Sequence, residues 1–465
     1  MSGPMALEPG GTEQDTLALR LAEAPARRDD HTLTLRLPGH GVDEAAVSRL
    51  AAELADRVGP AVHPYEVAAL LEAEGLTAGQ ITERYGHPNL FSLATALYEQ
   101  VPRTFPEPVP AADPWRPDTV RCLLRGVLFA LPGLAYLLTA PLWHPGRHAA
   151  ALVVAGVVSW AWGQGLGHRA HLRMAAGRRE AARALLTGAP LGAALATATA
   201  LPLTGGAPAL LAATAQSLYL AAAGVLLVLA RERLLLAALT PLLVGAAALP
   251  WWDPGVPLRT GLTLLALLAT LAVTGYVLRG ALATPAAADG KRPPLLWSLP
   301  YGLFGLAAAL LVLLEGRREP YAVIVLTLSM GPAEWLLYRY RGLSVAALRA
   351  TATPAGFLLR STAVLGLCLL AYLLPLLPAA YLTGAPPAGL LALAATLWTA
   401  LLLQAFGTAW PPAVICLAAA ATAGAVTLLH LPPGPAGALP LACAGAALCL
   451  VACALRLLGR PARHA

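Results

Sequence analysis

The chain has 465 residues, of which 57% are hydrophobic and only 12% are charged. Soluble globular proteins carry about 25% charged residues, so this composition excludes a soluble enzyme. The charge is also uneven: residues 1–118 hold 18 acids and 9 Arg, a net of −9, whereas residues 119–465 hold 7 acids and 23 bases, a net of +16.

The acidic first part is predicted to be a small cytoplasmic domain. No apolar run with a basic start opens the chain, so we expect no cleaved signal peptide. Residues 1–31 are polar and predicted to be disordered, and the alternation over residues 31–37 suggests a short strand. Helices are predicted over residues 42–58, 64–74, 77–85 and 89–101. Residues 32–103 thus form a mainly helical domain, which a Pro-rich linker over residues 104–118 joins to the rest.

The charge of this domain indicates the kind of partner it binds. Residues 75–98 match a helix-turn-helix spacing, but residues 60–102 hold five Glu and one Arg. A DNA-binding domain must neutralise phosphates, so we expect no nucleic acid partner. We predict a cytoplasmic protein partner instead. A second hypothesis is that the acidic domain docks on the basic inner loops and regulates the membrane part.

Twelve apolar segments follow, each about as long as a membrane-spanning helix, which needs about 20 mostly apolar residues. They are centred near residues 130, 156, 196, 218, 242, 268, 305, 331, 371, 398, 421 and 446. The third segment, rich in Ala, Thr and Gly, and the last two, separated by residues 431–437, give the weakest signals. The sequence therefore predicts an all-α polytopic membrane protein with about 12 transmembrane helices.

Basic residues in the loops test this number independently, because they stay on the cytoplasmic side of a membrane. With the acidic domain inside, the inner loops and tail hold 17 Arg and Lys and the outer loops hold 4. We therefore expect a multi-pass protein of the bacterial cytoplasmic membrane with both termini in the cytoplasm. The outer loops are too short to hold a catalytic centre, so we do not expect an enzyme.

Two stretches six predicted helices apart are similar. Residues 162–173 follow the second span and residues 330–341 follow the eighth, at an offset of 168 residues. The first and seventh spans likewise share Gly126-Val-Leu-Phe and Gly302-Leu-Phe-Gly. Such repeats are common in transporters and predict two parallel six-helix bundles around a cavity. The predicted parts are a first bundle over residues 119–280, a cytoplasmic connector over 281–295, a second bundle over 296–457 and a cytoplasmic tail over 458–465.

The inner segment after the second span resembles a known family. Residues 176–186 read Ala-Gly-Arg-Arg-Glu-Ala-Ala-Arg-Ala-Leu-Leu. This is similar to the Gly-Asp-Arg-Glu-Ala-Ala-Arg-Leu-Leu type of loop in polysaccharide flippases of the multidrug/oligosaccharidyl-lipid/polysaccharide exporter superfamily, although Arg178 stands where Asp is common. The resemblance implies transport of a lipid-linked saccharide by alternating access. A major-facilitator-type exporter is the alternative, because residues 163–173 faintly match its signature, with His168 in place of Asp.

Ionisable residues inside apolar segments are candidate functional residues, because burying them costs about 2.5 to 3.5 kcal/mol each on insertion scales. Glu334 follows Gly331 and Pro332, a pair that can kink a helix and free a carbonyl for a ligand. We predict that Glu334 is an ion-coupling or gating carboxylate; alternatively, it pairs with Arg339 or Arg341.

Arginine and glutamine side chains are the predicted substrate-binding groups. Arg125, one turn inside the first span, could hold a lipid diphosphate through paired hydrogen bonds, or could act as a snorkelling positive-inside residue. The same alternatives apply to Arg279 and Arg360. Gln164 and Gln404 could bind a sugar, although bridging between helices is the simpler role for these and for Gln216. Glu315 is interpreted as part of a solvated charge cluster.

No cofactor is expected. The six cysteines lie in apolar segments without His or acids at metal-ligand spacing, which indicates neither disulfides nor a zinc site. No phosphate-binding Gly-x-x-x-x-Gly-Lys-Ser/Thr loop occurs, so transport would use no ATP of its own. The favoured function is a flippase for a lipid-linked saccharide or polysaccharide precursor, in contact with membrane lipid. The competing classes are a scaffold that recruits glycan-synthesis enzymes through the acidic domain and, less favoured, a membrane-embedded transferase.

Overall fold

The computed structural model describes residues 43–102, 116–142, 145–285, 293–351 and 353–460. These residues fall into two compact units, one over residues 43–102 and one over residues 116–460. The segment predicted to be disordered, the strand predicted over residues 31–37 and most of the linker lie outside the described residues.

The first unit is a small helical domain. Its helices are α1 (Glu44–Glu53), α2 (Ala55–Val58), α3 (Pro64–Ala73), α4 (Ala78–Tyr85) and α5 (Leu90–Gln100). Side-chain caps begin four of them; Thr77, for example, forms a capping box with Gln80 at the start of α4, which satisfies backbone N–H groups that have no partner inside the helix. Leu71, Leu93 and Leu97 are fully buried at the centre of the domain. The prediction that this domain is mainly helical is confirmed.

The second unit is built entirely of helices in the part that the structure describes. They are α6 (Thr119–Ala130), α7 (Gly133–Leu138), α8 (Pro145–Met174), α9 (Arg178–Ala200), α10 (Ala207–Val228), α11 (Glu232–Ala248), α12 (Gly255–Leu282), α13 (Leu299–Gly316), α14 (Pro320–Leu328), α15 (Met330–Arg349), α16 (Pro354–Thr383), α17 (Pro387–Ala405), α18 (Trp410–Leu428) and α19 (Pro435–Leu458).

A helix lies at each of the twelve predicted positions. Ten segments among the described residues are long and apolar enough to cross a membrane, and the bent pair α14 and α15 makes eleven if it is one span. At the fifth predicted position lies α11, which has 17 residues and is not among these eleven. The three weakest sequence signals correspond to α9, α18 and α19. The predicted fold class, an all-α polytopic membrane protein, is confirmed.

The eighth span is broken where the sequence predicts a kink. Helices α14 and α15 meet at Ser329 with a bend of 42°. Pro332 has no N–H to donate to the carbonyl of Leu328, four residues earlier, which ends the regular hydrogen-bond pattern there. The Ser329 hydroxyl donates to the Leu326 carbonyl at 2.7 Å and lies 3.0 Å from the Tyr372 hydroxyl. These bonds hold the break in place.

The membrane unit consists of two halves with similar packing, each of which holds six of the predicted spans. The first half (α6 to α12) and the second half (α13 to α19) each have their own hydrophobic core. The pairs α8–α9, α8–α10, α9–α10, α10–α12 and α11–α12 recur as α15–α16, α15–α17, α16–α17, α17–α19 and α18–α19. A shift of six spans thus relates the contacts of the two halves, as expected for an internal repeat.

Polar bridges join helices inside each half. The Tyr136 hydroxyl donates to Oε1 of Gln216 at 2.7 Å, and Nε2 of Gln216 donates to the Leu152 carbonyl at 3.2 Å. Gln216 therefore links the first, second and fourth spans, and its predicted bridging role is confirmed. In the second half, Nε1 of Trp398 donates to the Ala333 carbonyl at 3.2 Å.

We expect Tyr136→Phe to destabilise the first half by about 1 kcal/mol, because interhelical hydrogen bonds in membranes contribute about 0.6 to 2 kcal/mol. The measurement is thermal unfolding of the purified chain in detergent. Tyr276→Phe is the control, since Tyr276 lies on the same half and is 76% exposed on the protein surface. An equal loss in both variants would contradict the bridge.

Candidate functional site

The two halves cross at two places, and the first is the crossing of α6 and α15. A Cβ added to Gly126 would lie 3.0 Å from the Leu328 carbonyl oxygen, which is the carbonyl that Pro332 leaves without its usual donor. A Cβ added to Gly331 would lie only 2.7 Å from the Cys122 carbonyl oxygen. The two helix backbones are therefore in direct contact, and only Gly permits this approach.

Four charged side chains surround this crossing. Arg125 of α6 lies between Glu232 at the start of α11 and Glu334 of α15. Its Nη2 is 2.8 Å from Oε1 of Glu232, its Nε donates to the same oxygen at 2.9 Å, and its Nη1 donates to Oε1 of Glu334. Nε of Arg121 also donates to Glu232, at 2.8 Å. This group of four residues, which we call the charge network, contains two positive and two negative charges.

The charge network is largely shielded from water. Side-chain exposure is 12% for Arg125, 7% for Glu232 and 18% for Glu334, whereas Arg121 is 42% exposed. Buried charges persist only when they are paired and hydrogen-bonded, and here each carboxylate is held by at least one guanidinium. Because Arg125 belongs to the first half and Glu334 to the second, breaking this ion pair is part of separating the halves.

The second crossing joins α8 and α13. His168 stacks on the Tyr301 ring with centroids 3.7 Å apart and an angle of 14° between the ring planes. Its Nδ1 lies 3.1 Å from Oγ of Ser298. Gly305 brings the backbones together beside these side chains, because a Cβ there would lie 3.1 Å from the Cα of Ala161 and 2.8 Å from Cγ of Gln164. This crossing therefore has a neutral, aromatic character.

Both crossings lie between the middle of the spans and the ends that bear the basic residues. We call that the Arg-rich side, defined by Arg169, Arg173, Arg339 and Arg341. The contacts named for the two crossings all lie in this part of the bundle, whereas the bridge from Tyr136, farther from the Arg-rich side, stays within one half. The halves therefore meet closely on the Arg-rich side.

The structure places only two of the predicted site residues, Glu334 and Arg125, in the charge network. Glu334 pairs with Arg125, not with Arg339 or Arg341, so that alternative for Glu334 is wrong. Arg125 is buried in the charge network, so its interpretation as a snorkelling residue at the surface is also wrong. The functional roles of both residues stay predictions.

The other predicted residues lie outside this network. Arg279 and Arg360 are exposed, and Nη1 of Arg360 donates to the Ala350 carbonyl at 3.1 Å. Gln164 is half-buried at the second crossing. Gln404 is buried in the second half, and among the described residues neither of its amide atoms has a hydrogen-bond partner. Their predicted role in substrate binding is therefore not supported by a shared location with Arg125.

Two acidic residues are buried although the sequence indicates that they are exposed to solvent. The sequence gives no sign that Glu232 is buried, because Arg231 and Arg233 on either side make it resemble part of a solvated loop. The prediction that Glu315 belongs to a solvated charge cluster is wrong. Glu315 is 2% exposed, and a Cβ added to Gly389 of α17 would lie 3.0 Å from Oε1 of Glu315. Helix α13 extends to Gly316, which keeps this carboxylate against the neighbouring helix.

The fold and the buried charges define the chain as a multi-pass, all-helical membrane protein. Among solved structures it is similar to a MATE mutant (14% identity, 73% of this chain, 96% of that chain, TM-score 0.43). It is also similar to a MATE in complex with MaD5 (16%, 76%, 99%, 0.41) and to an outward-facing multidrug resistance MATE family transporter of the MOP superfamily (14%, 74%, 96%, 0.40). Likeness at this level does not assign a family. No family model and no curated protein matches the sequence.

Proposed function

We propose that the chain is a transporter that moves an anionic, amphiphilic substrate across the membrane by alternating access. The substrate class that we favour is a polyprenyl-linked saccharide or polysaccharide precursor. The Arg-rich side would face the bacterial cytoplasm, with both termini there, since basic residues stay on that side.

The observation that carries this proposal is the way the halves meet. Two similarly packed halves meet at two crossings on the Arg-rich side, where Gly331 allows direct backbone contact. Alternating access is a rocking of one repeat against the other around a fixed site. The contacts described here correspond to a conformation closed on the Arg-rich side.

The charge network supports an anionic substrate. Guanidinium groups bind phosphates through paired hydrogen bonds, and Arg125 presents such a group between the halves. A phosphate that competes with Glu334 for Arg125 would remove an ion pair that connects the two halves. Substrate binding would thereby favour separation of the crossing, which is the coupling that a carrier needs.

A reconstitution experiment tests this function. The purified full chain is placed in vesicles with a fluorescent polyprenyl diphosphate oligosaccharide, and an impermeant quencher reports the fraction of label in the outer leaflet. We expect complete quenching with the protein and about half without it. A label that stays half-protected contradicts the flippase. Equal movement of a neutral polyprenyl saccharide contradicts the role of Arg125, and export of a soluble dye instead favours the major-facilitator alternative.

A scaffold is the second candidate function, and the surface of the acidic domain favours it. Tyr65 and Phe91 are 67% and 57% exposed, and their rings contact edge to face at 5.7 Å. Val62, three residues before Tyr65 in the chain, is 64% exposed. Exposed apolar patches mark protein-binding surfaces. A scaffold should lose function in cells when residues 1–104 are deleted and tolerate changes in the charge network. A transporter should lose function when the charge network is changed. It should tolerate the deletion, unless the acidic domain gates transport.

A further inference from the structure

The second crossing contains a titratable group at its centre. His168 is 8% exposed, stacks on Tyr301 of the opposite half and lies 3.1 Å from Oγ of Ser298. Both contacts connect α8 of the first half with residues at the start of α13. The imidazole is therefore part of the surface that keeps the halves together on the Arg-rich side.

The internal repeat gives this crossing a counterpart. Aligning Gly126 with Gly302 places Arg125 at the position of Tyr301. Aligning residues 162–173 with 330–341, at an offset of 168, places His168 two residues from the position of Glu334. The crossings that the repeat relates thus hold a buried ion pair in one case and a neutral ring stack in the other. The neutral crossing is the one that a single proton can change.

The groups around His168 offer little compensation for a positive charge. Helix α13 presents the phenol of Tyr301 and the preceding turn the hydroxyl of Ser298. On α8 itself, Arg169 follows His168 directly and adds a positive charge, and His171 lies one turn further along the helix. From α10, the side chain near this part of α8 is Val228.

The acid on the remaining neighbouring helix is already paired. Helix α9 presents Glu180, which Arg173 and Arg183 hold. Among the described residues, no carboxylate forms an ion pair with His168. A positive charge on its ring would therefore have no counter-charge nearby.

A positive charge at His168 is therefore unfavourable while the crossing is closed. Tyr301 would attract an imidazolium through its ring face, but this attraction is weaker than the cost of burying an unpaired ion. The ring avoids this cost when α8 and α13 move apart and water reaches it. The neutral form favours the closed crossing and the charged form favours the open one.

We propose that His168 binds the proton that couples to transport, and that its protonation opens the α8–α13 crossing on the Arg-rich side. One proton adds to the ring nitrogen that is free of the Ser298 contact, and it leaves when the crossing closes again. The inference rests on the proposed function, because it assigns the coupling ion of the same carrier. It concerns a conformational change that can be measured without any substrate.

The experiment measures the distance between α8 and α13 as a function of pH. Ala175 and Leu296 are exposed near the Arg-rich ends of the crossing and accept spin labels after substitution by Cys, in a full chain whose six native cysteines are replaced by Ala. The labelled protein is studied in nanodiscs by pulsed electron paramagnetic resonance. We expect the distance to lengthen by about 5 Å, the scale of helix shifts in switching proteins, between about pH 8 and pH 4.5.

Two histidine variants decide the assignment. His168→Gln cannot gain a charge and should stay at the short distance throughout the pH range. His171→Gln, a matched control one turn along the same helix, should keep the pH response. A response that survives in His168→Gln, is lost in His171→Gln, or is absent from the parent chain overturns the proposal.

A separate readout keeps the variants interpretable. The His168→Gln chain should elute as a monodisperse species and retain its unfolding temperature at pH 8, where the parent histidine is neutral. If it does not, the ring nitrogens of His168 are titrated by NMR in the parent chain; a ring that stays neutral while the labels move apart overturns the proposal. If the distance responds but no saccharide moves, the substrate assignment fails and the proton switch stands.

Discussion

Arg125→Ala is expected to lower transport of the lipid-linked saccharide at least about 100-fold and to destabilise the chain by about 3 to 5 kcal/mol. The substitution leaves Glu334 without its partner and leaves Glu232 with Arg121 alone. Removing one member of a buried ion pair has this cost because the remaining charge is uncompensated. The measurements are the vesicle assay and thermal unfolding of the same preparation. Arg317→Ala is the control, because Arg317 is exposed at the opposite end of α13.

A double variant separates the structural role of Arg125 from its role in binding. Arg125→Ala together with Glu334→Gln removes both charges of the pair that joins the halves, so most of the lost stability should return. Transport should not return, because no guanidinium remains for the phosphate. If both stability and transport recover, Arg125 acts only as a partner for Glu334 and does not bind the substrate.

The fold was predictable because the bilayer imposes one strong constraint. Each crossing helix must satisfy its own backbone hydrogen bonds, so length and apolar composition suffice to identify it. The third span is rich in Ala, Thr and Gly but has the expected length, and it is the helix α9. The kink near Pro332 follows from a missing N–H and is equally local. Features that arise within one helix were accessible to sequence reasoning.

Partners across the interface were not predictable from the sequence. Glu334 is a candidate because of its place in an apolar segment, but the local sequence offers only Arg339 and Arg341 as partners. In the structure these two lie over the rings of Trp335 and Phe406, each at 5.5 Å from the ring centroid. The true partner is 209 residues away and is set by the crossing of the halves.

In two cases, charged neighbours in the sequence also make a buried carboxylate resemble an exposed one. Glu232 lies between two Arg residues, and Glu315 precedes a short charged stretch, so each resembles part of a hydrated loop. In the structure both are buried, because the helix to which each belongs places the carboxylate against another helix. Hydropathy averages over a window, whereas the direction of a single side chain decides its exposure. Only tertiary packing supplies that direction.

The second large effect is expected for Gly331→Ala, which should hold the chain open on the Arg-rich side and lower transport at least about tenfold. The Cβ of the introduced alanine would lie 2.7 Å from the carbonyl oxygen of Cys122 and 3.3 Å from the Cα of Leu123. These are backbone atoms of a helix, which cannot rotate away as a side chain does. Relief of the clash therefore requires α6 and α15 to separate. A shift of about 1.4 kcal/mol is enough for a tenfold change in population.

Gly342→Ala is the matched control. Gly342 lies on the same helix as Gly331, and a Cβ added there would have no contact within 4 Å. Both variants gain about 1 kcal/mol of helix propensity, so this gain cannot explain a difference between them. Cys122, buried at 3% exposure beside Gly331, serves as the only thiol after the other five are replaced by Ala. Its reaction with a water-soluble maleimide should be at least about tenfold faster in Gly331→Ala and unchanged in Gly342→Ala, since thiol reactivity follows exposure. An unreactive Cys122 together with normal transport in Gly331→Ala would show that the halves do not need this backbone contact to close.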